Sequence, residues 1–200
     1  MADSPFMSLV QGRYSLRRYD AQRPVTDRDI AFILEAARLA PSADNSQPWR
    51  FIVVRDREAR SRLSLECFSG VFLPTRFAAE APVILALCAD RAHLLERAGE
   101  AVLRTALHEL DCGIAGEHIV LAAAERGIGS CWIGWFNKKK AKRLLGAPLS
   151  FEVVALIALG YPRDAPSARP KVRKSLSSIA SLDVWGNPFG AIPDQDGRRK

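Results

Sequence analysis

Two continuous apolar runs constrain this chain of 200 residues more than anything else in it. They are VILALCA from Val83 to Ala89 and VVALIAL from Val153 to Leu159. A strand that is apolar at every position has to be covered on both faces. Helices must therefore lie above and below it. Trp49 to Arg55 (WRFIVVR) reads as a third strand, rich in β-branched and aromatic residues. Ser130 to Trp135 (SCWIGW) reads as a short strand or a turn. Hydrophobic residues make up 48% of the chain, enough for an ordinary core.

The covering helices carry their own signals. Ser4-Pro5 looks like a cap followed by Pro at the first helical position, for a short helix with Phe6, Leu9 and Val10 that ends near Gly12. Thr26 with Asp29 resembles a capping box ahead of Ile30, Ile33, Leu34 and Ala37 at helical spacing. Asp56 to Glu66 is charged and helical, and Asn137 caps NKKKAKRLL, which Gly146 ends. Asp111 to Arg126 is the longest helix, expected to start at a capping Asp and to stop at Gly127. It is apolar almost all round, so it is buried, and a dimer interface is one place to bury it. Gly113 and Gly116 would each weaken it by ~1 kcal/mol, which makes sense where another helix packs closely. Cys67 to Ala79 fits neither period and is expected to be a mobile segment or a lid. No repeat and no domain linker interrupts the chain. The expectation is one α+β domain spanning residues 1–200, with a central, mainly antiparallel sheet flanked by helices. Its core is about 8–180, and a tail over 182–200 is extended, subunit-exchanging or disordered.

Three segments could carry chemistry. Ala40 to Phe51 (APSADNSQPWRF) joins a helix to a strand with two stiffening prolines, several short polar side chains and a large aromatic face at Trp49. Pro41, Ser42, Asn45 and Gln47 there suit a planar ligand with a polar edge, and they suit equally a plain connector with Asx-turn chemistry. Arg13, Ser15 and Arg17 alternate around Tyr14, so in extended backbone they point one way, toward an anion or toward water. Lys171 and Arg173 alternate in the same manner after a proline-rich stretch.

Composition narrows the function. The formal charge of +7 admits an anionic ligand or nucleic acid without selecting either. Lys138, Lys139, Lys140, Lys142 and Arg143 resemble a nucleic-acid patch in isolation, but they also fit the wet face of a short helix with Leu144 and Leu145 inward. Cys67, Cys88, Cys112 and Cys131 stand far apart in apolar or mixed surroundings and read as buried free thiols. His93, His108 and His118 lack ligand spacing, so no metal is expected. No stretch reaches ~18 apolar residues, and a cytoplasmic protein is expected.

In this order, R-x-S-x-R, the P-S-x-x-N-x-Q-P-W loop, the long helix before Gly127, G-I-G-S-C-W-I-G-W-F, A-L-G-Y-P and K-x-R resemble the nitroreductase family of FMN-dependent oxidoreductases, over roughly residues 8 to 180. The resemblance implies an interlocked homodimer with two FMN sites, each built from both subunits. It places Arg13, Tyr14 and Ser15 at the phosphate and ribityl end and Arg17 at the N1/C2 edge of the ring. Pro41, Ser42, Asn45 and Gln47 would follow one flavin face. The backbone of Ile133, Gly134 and Trp135 would present an N–H toward N5, and Lys171 and Arg173 would return to the phosphate. NADH or NADPH is then the hydride donor, and a small flat aromatic electrophile such as a nitroaromatic or quinone is the acceptor. No protein acid or base is required, because the flavin carries the chemistry.

The chain departs from that pattern at Tyr14, where a basic residue is frequent, and at Gly134, where an acidic residue occurs in some members. It departs also at Pro74, Thr75 and Arg76, where an Asn is frequent. The alternatives are a specialised flavin task such as flavin fragmentation, dehalogenation or azoline oxidation, a non-catalytic flavin binder, and a basic nucleic-acid-binding protein.

Overall fold

The computed structural model describes residues 4–90, 106–164 and 171–190. They fall in two units, Met1–Ala165 and Pro166–Lys200. The first unit runs α1 (Pro5–Gly12), α2 (Asp27–Arg38), β1 (Trp49–Val54), α3 (Arg57–Cys67), a series of 3-10 turns (Gly70–Glu80), β2 (Val83–Asp90), α4 (Leu107–Glu125), β3 (Gly129–Ile133), α5 (Lys138–Leu144) and β4 (Phe151–Gly160). The four strands form one sheet in the order β1-β2-β4-β3, antiparallel throughout. The α+β architecture expected from the apolar runs is present.

The two wholly apolar strands, β2 and β4, are the central pair, and each face of the sheet has its own core. On one face Val83, Leu85, Ile157 and Leu159 meet Ile33 and Ala37 of α2 and Ile119 and Val120 of α4. On the other, Ile84, Ala86, Leu156 and Ala158 meet Leu63 and Cys67 of α3 and Ala141 of α5. The helix starts are chemically explicit. Thr26 Oγ1 accepts the Asp29 N–H at 3.1 Å, and Asp56 and Asn137 side chains accept from Ala59 and Lys140 at 2.8 and 3.0 Å. His118 Nδ1–H donates to Ala36 O at 2.9 Å, tying α4 to α2.

Four expectations change. The long helix begins at Leu107, a turn before Asp111, and its N-cap Ala106 offers no side-chain oxygen. Asp111 is thus inside the helix and buried. Gly116 does not receive a neighbouring helix: a Cβ there would sit 2.3 Å from the Trp132 ring. Trp49 offers no free face, because it is 5% exposed and packs with Ala40, Leu87, Ala89, Cys112 and Ala115. The 67–79 stretch is not shapeless. It continues α3 to Cys67 and then turns in 3-10 geometry from Gly70 to Glu80.

In the second unit, residues 171–175 hold no regular secondary structure, α6 (Leu176–Ile179) follows, and a Ser181–Pro188 bridge closes a turn containing Asp183 and Gly186 at positive φ. Leu182 N–H donates to Asn187 O at 2.7 Å, giving order where the sequence shows little pattern. The expected tail lies outside the described residues from 191 onward.

At the end of β4, Gly160 lies against the Pro82 ring and the buried Tyr19. An added Cβ would meet Pro82 Cδ at 2.5 Å and Tyr19 Cδ1 at 2.9 Å. Neither ring can swing away, so Gly160→Ala is expected to destabilise by about 1–3 kcal/mol, read as a lower midpoint in urea unfolding. A midpoint equal to that of the parent protein would contradict this packing.

Candidate functional site

The 40–48 loop is built under strain. Asp44, Asn45 and Gln47 all hold positive φ, at 48°, 55° and 47°. Asp and Asn tolerate that region, whereas Gln does so less readily. Local bonds hold the shape. Gln47 N–H donates to Ser42 Oγ at 3.0 Å, and its side-chain amide donates to Asn45 Oδ1 at 3.0 Å and Asn45 O at 3.2 Å. A long-range bond fixes the loop to α4: Ala43 N–H donates to Asp111 Oδ1 at 3.1 Å. At the loop's end Asp90 N–H donates to Pro48 O at 2.8 Å. Pro41, Asn45 and Gln47 remain exposed, and Ser42 is half-buried.

The N-terminal strip docks on the free edge of β3. Ser15 forms a parallel bridge with Ser130, and Leu16 N–H donates to Ser130 O at 2.9 Å. Leu16 is buried and occupies the place of a side chain at Gly129, where a Cβ would meet Leu16 Cδ2 at 2.3 Å. That close approach forces Ser15 and Arg17 outward. Burial pushes the Cys131 thiol up, while Arg17, a hydrogen bond from Ser15, and Arg13 all act in the opposite direction. On this strip Ser15 and Arg17 are exposed and Arg13 is half-buried. Tyr14 faces the other way, half-buried against the core.

β3 ends at Ile133, which is buried, and Gly134 and Trp135 follow as an exposed turn. A Cβ on Gly134 would meet nothing within 4 Å, so open space lies beside that backbone. The starts of β1 and β4 and the ends of β2 and β3 share one end of the sheet. The loop and the Gly134 turn thus lie toward the same end but at opposite edges, offset across the sheet by three strand spacings, about 14 Å. Lys171 and Arg173 lie in the irregular stretch that opens the described part of the second unit, where Arg173 Nη1 donates to Val172 O at 2.9 Å.

Other titratable groups offer less. Burial raises Cys67 and Cys88 to about 11 and Cys112 to about 12, so none is a thiolate nucleophile at neutral pH. His108, Glu109 and Glu152 bring ligand atoms within 4.8 Å of one another, but the Lys138 ammonium, 3.6 Å from Glu152, already supplies a cation there. A polar cleft at Gln22, Arg57, Ser64 and Glu80 is lined by none of the motif residues. Among the described residues, no helix is long and apolar enough to cross a membrane.

The sequence reading missed Asp111 and Thr75. An Asp between the apolar residues Leu110 and Cys112 was the available signal for the first, since a buried charge requires a partner. For Thr75, whose hydroxyl donates to Trp135 O at 2.9 Å, there was no local signal.

A sequence model described as Nitroreductase family matches residues 10–161. A protein of Archaeoglobus fulgidus, provisionally named an NADH dehydrogenase/NAD(P)H nitroreductase, is 40% identical over 162 residues, covering 79% of this chain and 86% of the relative. A solved nitroreductase family protein from Clostridium difficile 630 superposes with a TM-score of 0.77 at 28% identity, over 90% of this chain and 99% of that one. An FMN-dependent nitroreductase from Clostridium difficile R20291 gives 0.67 at 28% identity, over 82% and 91%.

Asp111→Ala removes the acceptor of the Ala43 N–H. The expected results are a loss of about 1–3 kcal/mol and fast hydrogen exchange at the Ala43 amide, with the middle of α4 still protected. Retained protection at Ala43 would mean that the loop holds its strained form unaided.

Proposed function

The chain belongs to the nitroreductase family, and from that premise we propose that it is an FMN-dependent oxidoreductase using NADH or NADPH to reduce small flat electrophiles such as nitroaromatics or quinones. The observation that carries the reading is the docking of the strip bearing Arg13, Ser15 and Arg17 on the edge of β3, where Ser15 bridges Ser130 and Leu16 N–H bonds Ser130 O. Two guanidiniums and a hydroxyl suit a phosphate, which prefers several charged donors. From Ser130, beside Ser15, the strand runs four residues to Gly134, about 13 Å at strand rise. A ribityl chain and ring laid along that edge would bring the ring to the open space at Gly134.

Each residue then has a role. Arg13 and Ser15 hold the phosphate, with Tyr14 buttressing them from the core. Arg17 lies at the N1/C2 edge, where a cation stabilises the negative charge of the reduced ring. The backbone of Ile133, Gly134 and Trp135 offers an N–H to N5. When bound, FMN supplies the hydride acceptor and donor, and the protein binds, orients and tunes it.

The topology also supports a two-subunit site. The Pro41, Ser42, Asn45 and Gln47 loop is on the far edge of its own sheet, so it cannot cover the ring held at its own β3 edge. A homodimer allows the loop of one subunit to cover the ring held by the other. Lys171 and Arg173 are assigned to the phosphate by the same reading. The nicotinamide donor and the electron acceptor would take turns on the exposed ring face.

The purified protein should show flavin absorbance that reduced nicotinamide bleaches without oxygen. Arg13→Ala and Arg17→Ala should each weaken FMN binding by about 10- to 100-fold, the worth of a hydrogen bond to a charged group. Wild-type affinity in both variants, or a colourless protein that binds nucleic acid with steep salt dependence, would overturn the assignment.

A further inference from the structure

The 3-10 segment Gly70–Glu80 grips the turn after β3 at several points. The Trp135 indole N–H donates to Val71 O at 2.8 Å. The Thr75 hydroxyl lies 2.9 Å from Trp135 O and 2.7 Å from Phe72 O, sharing one proton between the two carbonyls. The Phe72 and Trp135 rings are 5.8 Å apart and tilted by 59°. Just beyond, Asn137 N–H donates to Cys67 O at 3.1 Å, and Phe136 is buried. Further along the same segment, Phe77 lies 5.8 Å beneath the Arg17 guanidinium. One stretch of chain thus touches both the turn and the arginine that the proposed function sets against opposite parts of one ring.

We propose that Thr75 and the Trp135 indole N–H are positioning residues, which hold the Gly134–Trp135 peptide at a fixed angle to the flavin. The proposal rests on the reading that FMN lies along this turn. The Trp135 carbonyl belongs to the following peptide, so the two bonds act by fixing Trp135 itself, whose Cα and N–H form the far end of the planar Gly134–Trp135 unit. On the near side Ile133 is fixed by the strand. On the far side the Trp135 carbonyl is held by Thr75, and its side chain by Val71. Gly134 lies between, without a side chain of its own to pack. Without the clasp, its wide backbone freedom would let the N–H swing away from the ring edge. Trp135 is still 59% exposed, so its indole is anchored by its N–H and by the Phe72 ring rather than by deep burial.

The test uses the FMN-loaded protein. Thr75→Val keeps the shape and removes the hydroxyl, Thr75→Ser keeps the hydroxyl, and Trp135→Phe removes the indole N–H while keeping a ring. Thr75→Val and Trp135→Phe should bind FMN at full stoichiometry but show an altered visible circular dichroism of the flavin and a shifted midpoint potential. Reduction by nicotinamide should slow by about 3- to 10-fold, the worth of one neutral hydrogen bond. Thr75→Ser should restore the wild-type spectrum and rate. If Thr75→Val fails to fold, Trp135→Phe carries the same expectation alone. Variants that lose only thermal stability, with spectrum, potential and rate unchanged, overturn the proposal and leave FMN binding intact. A wild-type protein that binds no FMN overturns the underlying reading and this proposal with it.

Discussion

A single hydrogen bond from the Ala43 N–H to the buried Asp111 carboxylate ties the least regular part of the chain to its most regular helix. Burying a carboxylate costs free energy unless it is paired and bonded. The loop in turn holds three non-glycine residues at positive φ, and such residues persist only where their surroundings over-determine them. The two costs sustain one another. The loop gives Asp111 a donor, and Asp111 gives the loop a fixed point on a helix that packs against α2 and the sheet. The same loop leads directly into β1, with Trp49 locked beneath it against Cys112 and Ala115 of that helix. A ligand meeting Pro41, Asn45 or Gln47 therefore meets a preformed surface, which lowers the ordering cost of binding.

The second organising constraint is the close approach of the N-terminal strip to β3. Gly129 lets Leu16 sink into the core beside the strand, and Gly160 lets Pro82 and Tyr19 close on the end of β4. Tyr19 then donates its hydroxyl proton to Leu16 O at 2.7 Å, closing the strip back on itself. These contacts are apolar or main-chain in character, so they leave Ser15 and Arg17 outward-facing on the free edge of the sheet. The edge position also accounts for the protection of β3. An unpaired strand edge invites association with other chains, and here the strip with its arginines covers part of it. Binding geometry and edge protection come from the same few residues.

Much of the fold was legible because its signals are local. The apolar runs of β2 and β4, and the caps Thr26 and Asn137, each declare themselves within a few residues. The alternation of Arg13, Ser15 and Arg17 was legible for the same reason. What was not legible depends on partners distant in sequence. An Asp near a helix start looks like a cap whether it caps or is buried, and Ala43, 68 residues away, makes the difference. Gly116 reads as room for a helix until Trp132 is seen to fill the space. The Gly70–Glu80 turns have Pro74 inside and no helical or strand period, and they are ordered by Trp135 and Arg17 rather than by their own propensity. Trp49 looked like a ligand platform because a Trp next to Pro in a polar loop carries no mark of which side faces the core.

The basic run on α5 shows how structure redistributes a charge that composition only counts. Lys138 lies 3.6 Å from Glu152, Arg143 bonds Glu66 of α3, and Lys142 Nζ donates to Leu149 O at 2.8 Å. Exposed pairs of this kind add little stability, and two of the five cations, Lys138 and Arg143, each face a carboxylate. Ala141 is buried and Leu144 and Leu145 are partly so, each packing into the core, as a short amphipathic helix requires. Arg13 and Arg17 differ in arrangement. They flank Ser15 and Leu16, whose register on β3 is set by a bridge and a main-chain bond to Ser130, and the Arg17 guanidinium lies over the Phe77 ring. Pre-aimed charge is what recognition of a compact anion needs, whereas a dispersed surface charge governs solubility and encounter rates. The net positive balance of the chain is therefore a poor guide to its ligand.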